Sequence, residues 1–386
     1  MKINPRFVIT VIFFLALYSC INFYIGWHLT VWFDSAGIVF NPWAFWLPFA
    51  ILVYGYILGR VPLPTAIKPL GRLLKVIGSY YIFIMEAGLL LFLLGDLVGL
   101  FVRLADGNID DYALYSGIVI LAAIVVLLAV GSRNAWSPIV RQYDIEIDKP
   151  TQSGQTNWTV AVASDIHLGN VVGRRHLGRL IERMNAMQPD LILLPGDIID
   201  DSIEPFLRNK MSELLGQLKA KRGVFAILGN HEYYGGHAEQ YIGEMSKIGI
   251  RVLRDETVDI AGELYVAGRK DKTAESADPS RRLSASELLR SLDLSKPVIL
   301  MDHQPTMFAQ AAEAGADVLL SGHTHRGQFA PNHLFTRRIF ELDWGYMRKS
   351  AMHVIVSSGF GTWGPAIRIG SRSEIIKINI KLSATL

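Results

Sequence analysis

The sequence predicts a two-part protein: an N-terminal α-helical membrane domain of about four helices, followed by a C-terminal α/β domain. Three observations carry this. The first ~130 residues are very apolar, and the remainder has the composition of an ordinary globular domain. Several segments of the first part approach or exceed the ~20 apolar residues that cross a bilayer. In the second part, "VAVASDIHLG", "LILLPGDIID", "VFAILGNHE", "PVILMDHQP" and "DVLLSGHTHRG" each join a short apolar run to a polar cluster, with helical patterns between several of them.

The chain has 386 residues, so two domains are expected before any motif is read. Its formal net charge of +3 calls for no nucleic-acid partner. Cys20 is the single cysteine, so no intrachain disulfide is available.

The apolar segments run over 7–27, 43–58, 76–101 and 112–130. The second is short and Pro48 interrupts it, so it reads as a span with a re-entrant segment as the alternative. The first follows a basic N-terminus, as a cleaved signal would, and "LYSC" faintly resembles a lipoprotein cleavage site. Tyr18 is bulky for such a site, and apolar sequence continues to Phe33, so a retained helix is expected. Cys20 is then a membrane-core residue. Glu86 falls near the middle of the third segment, where a charge is costly and faces a bundle interior or a water-filled cavity. The domain limits read as 1–133 for the transmembrane part, 134–158 for a connector and 159–386 for the α/β domain.

Positive charge sits on alternate sides. Lys2 and Arg6 precede the first segment, and 28–42 has no Lys or Arg. The second loop carries Arg60, Lys68, Arg72 and Lys75, the third carries Arg103 among Asp106, Asp110 and Asp111, and Arg133, Arg141 and Lys149 follow the fourth segment. The positive-inside rule then places both termini and the C-terminal domain in the cytoplasm of a multi-pass inner-membrane protein.

In the second domain, short buried strands alternating with helices indicate an α/β sheet, where ligands gather at the carboxyl ends of strands. The polar clusters therefore converge on one rim. Asp165 and His167 are two apart, as are His323 and His325, and such pairs point the same way in an extended segment. Asp197 and Asn230 each follow a glycine, and His303 ends an apolar strand. Two Asp, four His and one Asn are more ligands than one ion usually takes. A shared carboxylate suits a pair of metals, a device for phosphoryl displacement. The donor set lacks thiolate and suits Mn²⁺, Fe²⁺ or Zn²⁺ better than Ca²⁺.

"DIH" at 165–167, "GDIID" at 196–200, "GNHE" at 229–232, His303 in "DHQP" and "GHTH" at 322–325 stand in the order of the calcineurin-like metallophosphoesterase superfamily. The chain resembles that superfamily from about Thr159 to Lys381, and "GNHEYY", "DHQP" and "GHTHRGQ" resemble its bacterial membrane-associated branch. The resemblance implies a β-sandwich flanked by helices. It implies that Asp165, His167 and His325 hold one metal, that Asn230, His303 and His323 hold the other, and that Asp197 bridges them. It further implies that His231 is a general acid or phosphate ligand, that Asp200 supports a ligand histidine, and that a metal-bridging hydroxide attacks phosphorus. The branch often has Gly where Arg326 stands, which bears on phosphate contact and removes no ligand.

The remaining signals are weaker. Asp302 and Glu232 adjoin ligands and are expected to orient backbone. The stretch 268–282 reads as a solvated loop with Arg269, Arg281 or Arg282 as candidate anion contacts. "GFGTWGP" at 359–365 reads as a groove wall or a plain tight loop. His28, His176, His237, His333 and His353 lie outside the motifs and are expected to make ordinary hydrogen bonds.

The expected activity is membrane-anchored, dinuclear hydrolysis of a phosphomonoester or phosphodiester, with lipid-linked esters favoured by the tether. The alternatives are a transporter- or receptor-like protein with a phosphoesterase-derived sensory domain, and a nuclease or nucleotide phosphodiesterase. Charge and membrane address weigh against the nuclease. The topology is checked by C-terminal reporter fusions: a cytoplasm-active reporter should score and a periplasm-active one should stay silent, and the reverse pattern would overturn the orientation.

Overall fold

The computed structural model describes residues 5–61, 64–151, 154–277 and 281–383. The chain divides into two compact units, Met1–Val130 and Gly131–Leu386.

The first unit is helical. Helices α1 (Pro5–Ser35), α2 (Pro42–Leu58), α3 (Lys68–Leu104) and α4 (Ile109–Trp136) occupy the four apolar segments, and the last turns of α4 fall in the second unit. Each helix outruns its apolar stretch or matches it, because backbone hydrogen bonding continues into polar flanks until a capping or breaking residue stops it. Among the described residues, α1, α3 and α4 are long and apolar enough to cross a membrane. The 17-residue α2 is apolar but shorter, and Pro48 lies inside it without ending it. Ile25, Phe49, Val53, Tyr81 and Phe92 form the unit's centre. Buried Asn22 accepts a hydrogen bond from the Tyr81 hydroxyl at 2.5 Å and donates to the Tyr18 carbonyl at 2.7 Å, so the polar group inside the bundle is satisfied.

Among its described residues the second unit holds twelve strands: β1 (Ile139–Pro150), β2 (Asn157–Val162), β3 (Leu191–Pro195), β4 (Val224–Ile227), β5 (Arg251–Leu253), β6 (Glu256–Ile260), β7 (Leu264–Gly268), β8 (Val298–Met301), β9 (Val318–Ser321), β10 (Gly345–Lys349), β11 (Met352–Val356) and β12 (Glu374–Ser383). They form two six-stranded sheets, ordered β1-β12-β2-β3-β4-β5 and β10-β11-β9-β8-β7-β6. The sandwich interior takes Val160, Val162, Leu193 and Ile227 from one sheet and Val266, Ile299, Met301 and Leu320 from the other. Alternate residues Ala161, Ala163, Ile192 and Leu194 face outward beneath helix α5 (Arg174–Ala186), which buries Leu177, Leu180, Ile181 and Met184 on them. Leu300, Leu319 and Val354 do the same on the opposite outer face. The alternating apolar runs implied an α/β sheet, and the sandwich flanked by helices is the fold that the resemblance implied.

Strand β1 lies within the stretch read as a connector from sequence, and it pairs in parallel with β12 from Ile139 to Pro150. Only Ser137 and Pro138 separate it from α4.

His176 of α5 stacks on Phe360 at 4.3 Å and meets the edge of Trp136 at 4.9 Å. Burial first, then the Arg179 and Arg368 charges, lower its pKa from 6.5 to about 4 against the opposing pull of the Phe360 carbonyl. The folded value lies below the unfolded one, so this ring's contribution is complete above pH 6.5 and is lost as pH falls toward 4. The limiting slope is about 1.4 kcal/mol per pH unit. Denaturation followed across that window should show a shallower pH dependence for His176→Phe than for the unsubstituted protein. Equal slopes would mean that this ring does not titrate on unfolding.

Candidate metal centre

The site is assembled from strand ends. β2 leads to Asp165 and His167, β3 to Asp197, β4 to Asn230 and His231, β8 to His303, and β9 to His323 and His325. Strands of both sheets therefore deliver side chains to one rim. The backbone leaves each strand sharply. Asp165, His167, Asp197, His323 and His325 all have left-handed φ, between 48° and 73°. Each such non-glycine residue costs about 1–2 kcal/mol, so neighbouring contacts must hold it. Close approach also explains the glycines before the ligands. A Cβ on Gly322 would meet Asp165 Oδ2 at 2.1 Å, and one on Gly196 would meet His303 Nδ1 at 2.7 Å.

All seven expected ligand residues come together. His167 Nε2 and His325 Nε2 are 2.9 Å apart, and His325 Nε2 is 3.6 Å from Asp165 Oδ1. Asp197 Oδ2 lies 3.1 Å from His303 Nε2 and 3.9 Å from His167 Nε2, so one carboxylate oxygen faces both groups. Asn230 Oδ1 is 3.2 Å from His303 Nε2 and 2.8 Å from His323 Nδ1. His303 donates its other ring N–H to the Pro195 carbonyl at 2.8 Å, which turns Nε2 inward.

The electrostatics fit a cation. Burial, then the neighbouring His231 charge, lowers the His167 pKa to about 4, and burial with the His303 charge does the same to His323. His325 is held well below 6.5 by burial, His167 and Arg368. These rings present lone pairs to one another. Burial pushes Asp197 up, but His303, His167 and His231 outweigh it and hold the carboxylate well below its usual range. Converging, buried N and O donors with no thiolate, three of their rings held unprotonated, suit a divalent transition metal.

His231 has a different character. Burial lowers its pKa, but Asp201, Asp197 and Asp200 raise it to about 9, so the ring is protonated at neutral pH. Its Nδ1 lies 2.7 Å from Asp201 Oδ1 and 3.7 Å from Asp200 Oδ1. The resemblance gave Asp200 the support of a ligand histidine and named no carboxylate for His231. The nearer Asp201 is the next residue, and the motif spacing does not separate two adjacent carboxylates in a loop. Asp200 still lies in a cluster with His167 and His231.

Three supports surround these residues: Glu232, which orients backbone as expected, and the arginine pairings of Asp302 and the role of Arg368, which were not apparent from sequence. Glu232 accepts from the N–H groups of Asp197, Ile198, Ile199 and Gly229 at 2.7–3.1 Å, tying the Asp197 turn to the Asn230 turn. Asp302 is clamped by Arg269 at 2.6 Å and Arg282 at 2.8 Å. Those arginines are 4% and 8% exposed, so the ends of 268–282 are packed rather than solvated, and only Arg281, paired with Glu287, matches the expected exposure. The expected anion contacts at Arg269 and Arg282 are spent on Asp302. Finally, fully buried Arg368 donates to the Gly359 and Gly361 carbonyls and lies 3.3 Å from His325 Nδ1.

The loop 359–365 clamps the Asp165 turn: Phe360 N–H donates to Ser164 and Gly361 N–H to Asp165, at 2.9 and 2.8 Å. Arg326 places its guanidinium 4.0 Å over the Trp344 ring and donates to Gly370. His28, His176 and His353 make the non-ligand contacts expected of them.

The calcineurin-like phosphoesterase family model matches residues 159–327. A metallophosphoesterase of Aquifex aeolicus is 34% identical over 244 residues, covering 63% of this chain and 91% of that protein. A metallophosphoesterase of Campylobacter jejuni is 32% identical, covering 67% of each chain. A Danio rerio protein described as a transmembrane protein with metallophosphoesterase domain is 31% identical over 275 residues, covering 68% of this chain and 62% of that one. The chain belongs to the calcineurin-like metallophosphoesterases, which are metal-dependent phosphoester hydrolases, and among its described residues it carries three helices long and apolar enough to cross a membrane.

Glu232 gives this site a direct test. Truncation to Ala strands buried N–H groups, each worth about 1–3 kcal/mol when unsatisfied. Glu232→Ala should lose at least ~3 kcal/mol of stability and retain less metal after dialysis. Unchanged denaturation and metal content would show that the two turns hold without it.

Proposed function

We propose that the protein hydrolyses a phosphoester carried by a membrane lipid, at a dinuclear centre, with the catalytic domain on the cytoplasmic face. Asp165, His167 and His325 hold one ion, Asn230, His303 and His323 hold the second, and Asp197 serves both. Mn²⁺, Fe²⁺ and Zn²⁺ all fit the donor set. Bound ions supply charge that polarises the phosphoryl group and an activated water.

The chain's own residues do the rest. His231 keeps Nδ1 toward Asp201, which leaves its other ring nitrogen to donate a proton to the leaving oxygen or to bind the phosphate. Asp200 and Asp201 hold that ring charged and oriented. Glu232 fixes the turns that carry Asp197 and Asn230.

The observation that carries the lipid assignment is the seating of the end of α4. Arg368 N–H donates to the Gly131 carbonyl at 3.0 Å, and the Arg368 carbonyl accepts from Asn134 at 3.1 Å. The same Arg368 reaches His325. One residue thus spans from the end of an apolar membrane helix to a ligand of the centre. A site so attached samples lipid headgroups at high effective concentration, which gives a soluble nucleotide no advantage. The cytoplasmic assignment requires α2 to cross as well. Its 17 residues span about 26 Å, short of the ~30 Å core by an amount that local thinning accommodates.

The test uses full-length protein in vesicles with manganese, assayed on lipid phosphoesters and on a soluble chromogenic phosphodiester. Metal analysis should give two ions per chain, and Asp197→Ala should lose both metal and activity. His231→Ala should keep the metal and lose about 10²- to 10⁴-fold in rate. One ion or none in every preparation would overturn the dinuclear centre. A soluble metabolite turned over far better than every lipid would overturn the substrate class.

A further inference from the structure

A second feature of the Gly131–Leu386 unit lies apart from the metal centre and is not used by the proposed reaction. A cavity of about 470 Å³ opens beside the start of α5, lined by Trp136, Arg174, Arg175, His176 and Arg179, with no acidic residue on its walls. Arg174 spends one nitrogen on the Asn209 and Lys210 carbonyls, and Arg179 spends one on the Trp136 carbonyl. A guanidinium has five N–H groups, so both keep donors to offer. Arg175 is exposed and, among the described residues, has no hydrogen bond or ion pair. The first-turn N–H groups of α5 add partial positive charge.

Two further observations point to a ligand. His176 is 2% exposed and its Nδ1 is buried without a partner, although the residue lines the cavity. Its Nε2 faces the Phe360 carbonyl, so Nε2 carries the hydrogen and Nδ1 of the neutral ring is a free acceptor beneath Trp136, which calls for a headgroup hydroxyl beside the phosphate because a phosphodiester has no hydrogen to donate. The cavity is also at a defined depth. The apolar stretch of α4 ends at Val130, and Trp136 follows six residues later in the same helix, about 9 Å along the axis. That is the depth of the headgroup layer, where tryptophan concentrates.

We propose that this cavity binds the phosphate of an anionic phospholipid headgroup, separately from the substrate. Three arginines at headgroup depth match a phosphodiester anion in charge, and Trp136 packs at the headgroup–acyl boundary. A bound headgroup sits against His176, whose ring stacks on Phe360, and Phe360 is hydrogen-bonded to Ser164 beside Asp165. The lipid therefore supports the loop that holds one edge of the metal centre. This site rests on membrane association alone; its loss leaves the proposed substrate standing, and a soluble substrate would leave this site standing.

The experiment reconstitutes the full-length protein in phosphatidylcholine vesicles containing a small fraction of phosphatidylglycerol. Spin labels on the acyl chain of either lipid report the motionally restricted fraction, and hence the preference for phosphatidylglycerol. The unsubstituted protein should prefer phosphatidylglycerol, and Arg175→Gln should lower that preference roughly fivefold, the weight of one interfacial arginine. Arg175 is exposed and unpartnered, so its substitution leaves folding intact. Inorganic phosphate, matched in ionic strength with chloride, should leave the preference in place. No preference in the unsubstituted protein, or an equal preference in Arg175→Gln, would overturn the proposal. Loss of the preference to inorganic phosphate would make this a free-anion site and overturn the lipid assignment.

Discussion

The structure of the catalytic unit depends on one buried carboxylate. Asp197 is 2% exposed, and a charge so placed is tolerable only among compensating partners. His303 and His167 face its Oδ2, and the His231 backbone N–H donates to its Oδ1 at 3.0 Å. Those residues come from the ends of three other strands. Satisfying Asp197 therefore brings β2, β4 and β8 into register at one rim, across both sheets. The same convergence suits a cation: the rings of His167, His323 and His325 are held neutral and offer lone pairs beside the Asp197 carboxylate.

Such a rim is strained, and the surrounding groups show how the strain is held. Several ligands occupy left-handed backbone that ordinary residues avoid. Their turns are fastened by buried acceptors and donors rather than by the ligands themselves. Glu232 gathers the N–H groups of two turns. Asp302, next to His303, is fixed by Arg269 and Arg282. Gly361 and Phe360 hold the carbonyls at Asp165 and Ser164. Position is thus set before metal or substrate arrives, which electrostatic catalysis requires.

The candidate ligands were legible in the sequence because their chemistry is local. A strand period of two puts Asp165 and His167 on one side, and a glycine before Asp197 or Asn230 marks a backbone that must come close to another. The layered fold was legible for the same reason, since buried strands and amphipathic helices have different periods. What was not legible came from distant pairings. Arg269 and Arg282 read as solvated because the sequence carries no mark of their meeting with Asp302. Arg368 lies 43 residues from His325, and no spacing rule links them. Asp201 and Asp200 differ by one residue, and only the course of the loop selects the closer partner of His231. The stretch after α4 read as a connector; the pairing of β1 within it to β12, more than two hundred residues away, is likewise invisible to local pattern.

That last pairing changes how the membrane helices bear on chemistry. A flexible linker would let the rim wander over tens of ångströms and would act only through effective concentration. Here α4 passes through Ser137 and Pro138 directly into β1, and β1 lies against β12 along its length. Gly131 and Asn134 are hydrogen-bonded to Arg368, and Arg372 donates to Ser137 at 2.8 Å. The end of the apolar helix is therefore part of the catalytic unit's own structure. Under the proposed function, the depth of this end in the bilayer is set by the hydrophobic match of α4, and the height of the candidate metal-binding rim follows from it. A phosphoester held at the wrong depth would have to leave the headgroup layer to react, at the cost of exposing acyl chain to water. Under the proposed function, this attachment selects substrates by where their phosphorus lies relative to the membrane, a form of specificity that no residue in the rim needs to supply.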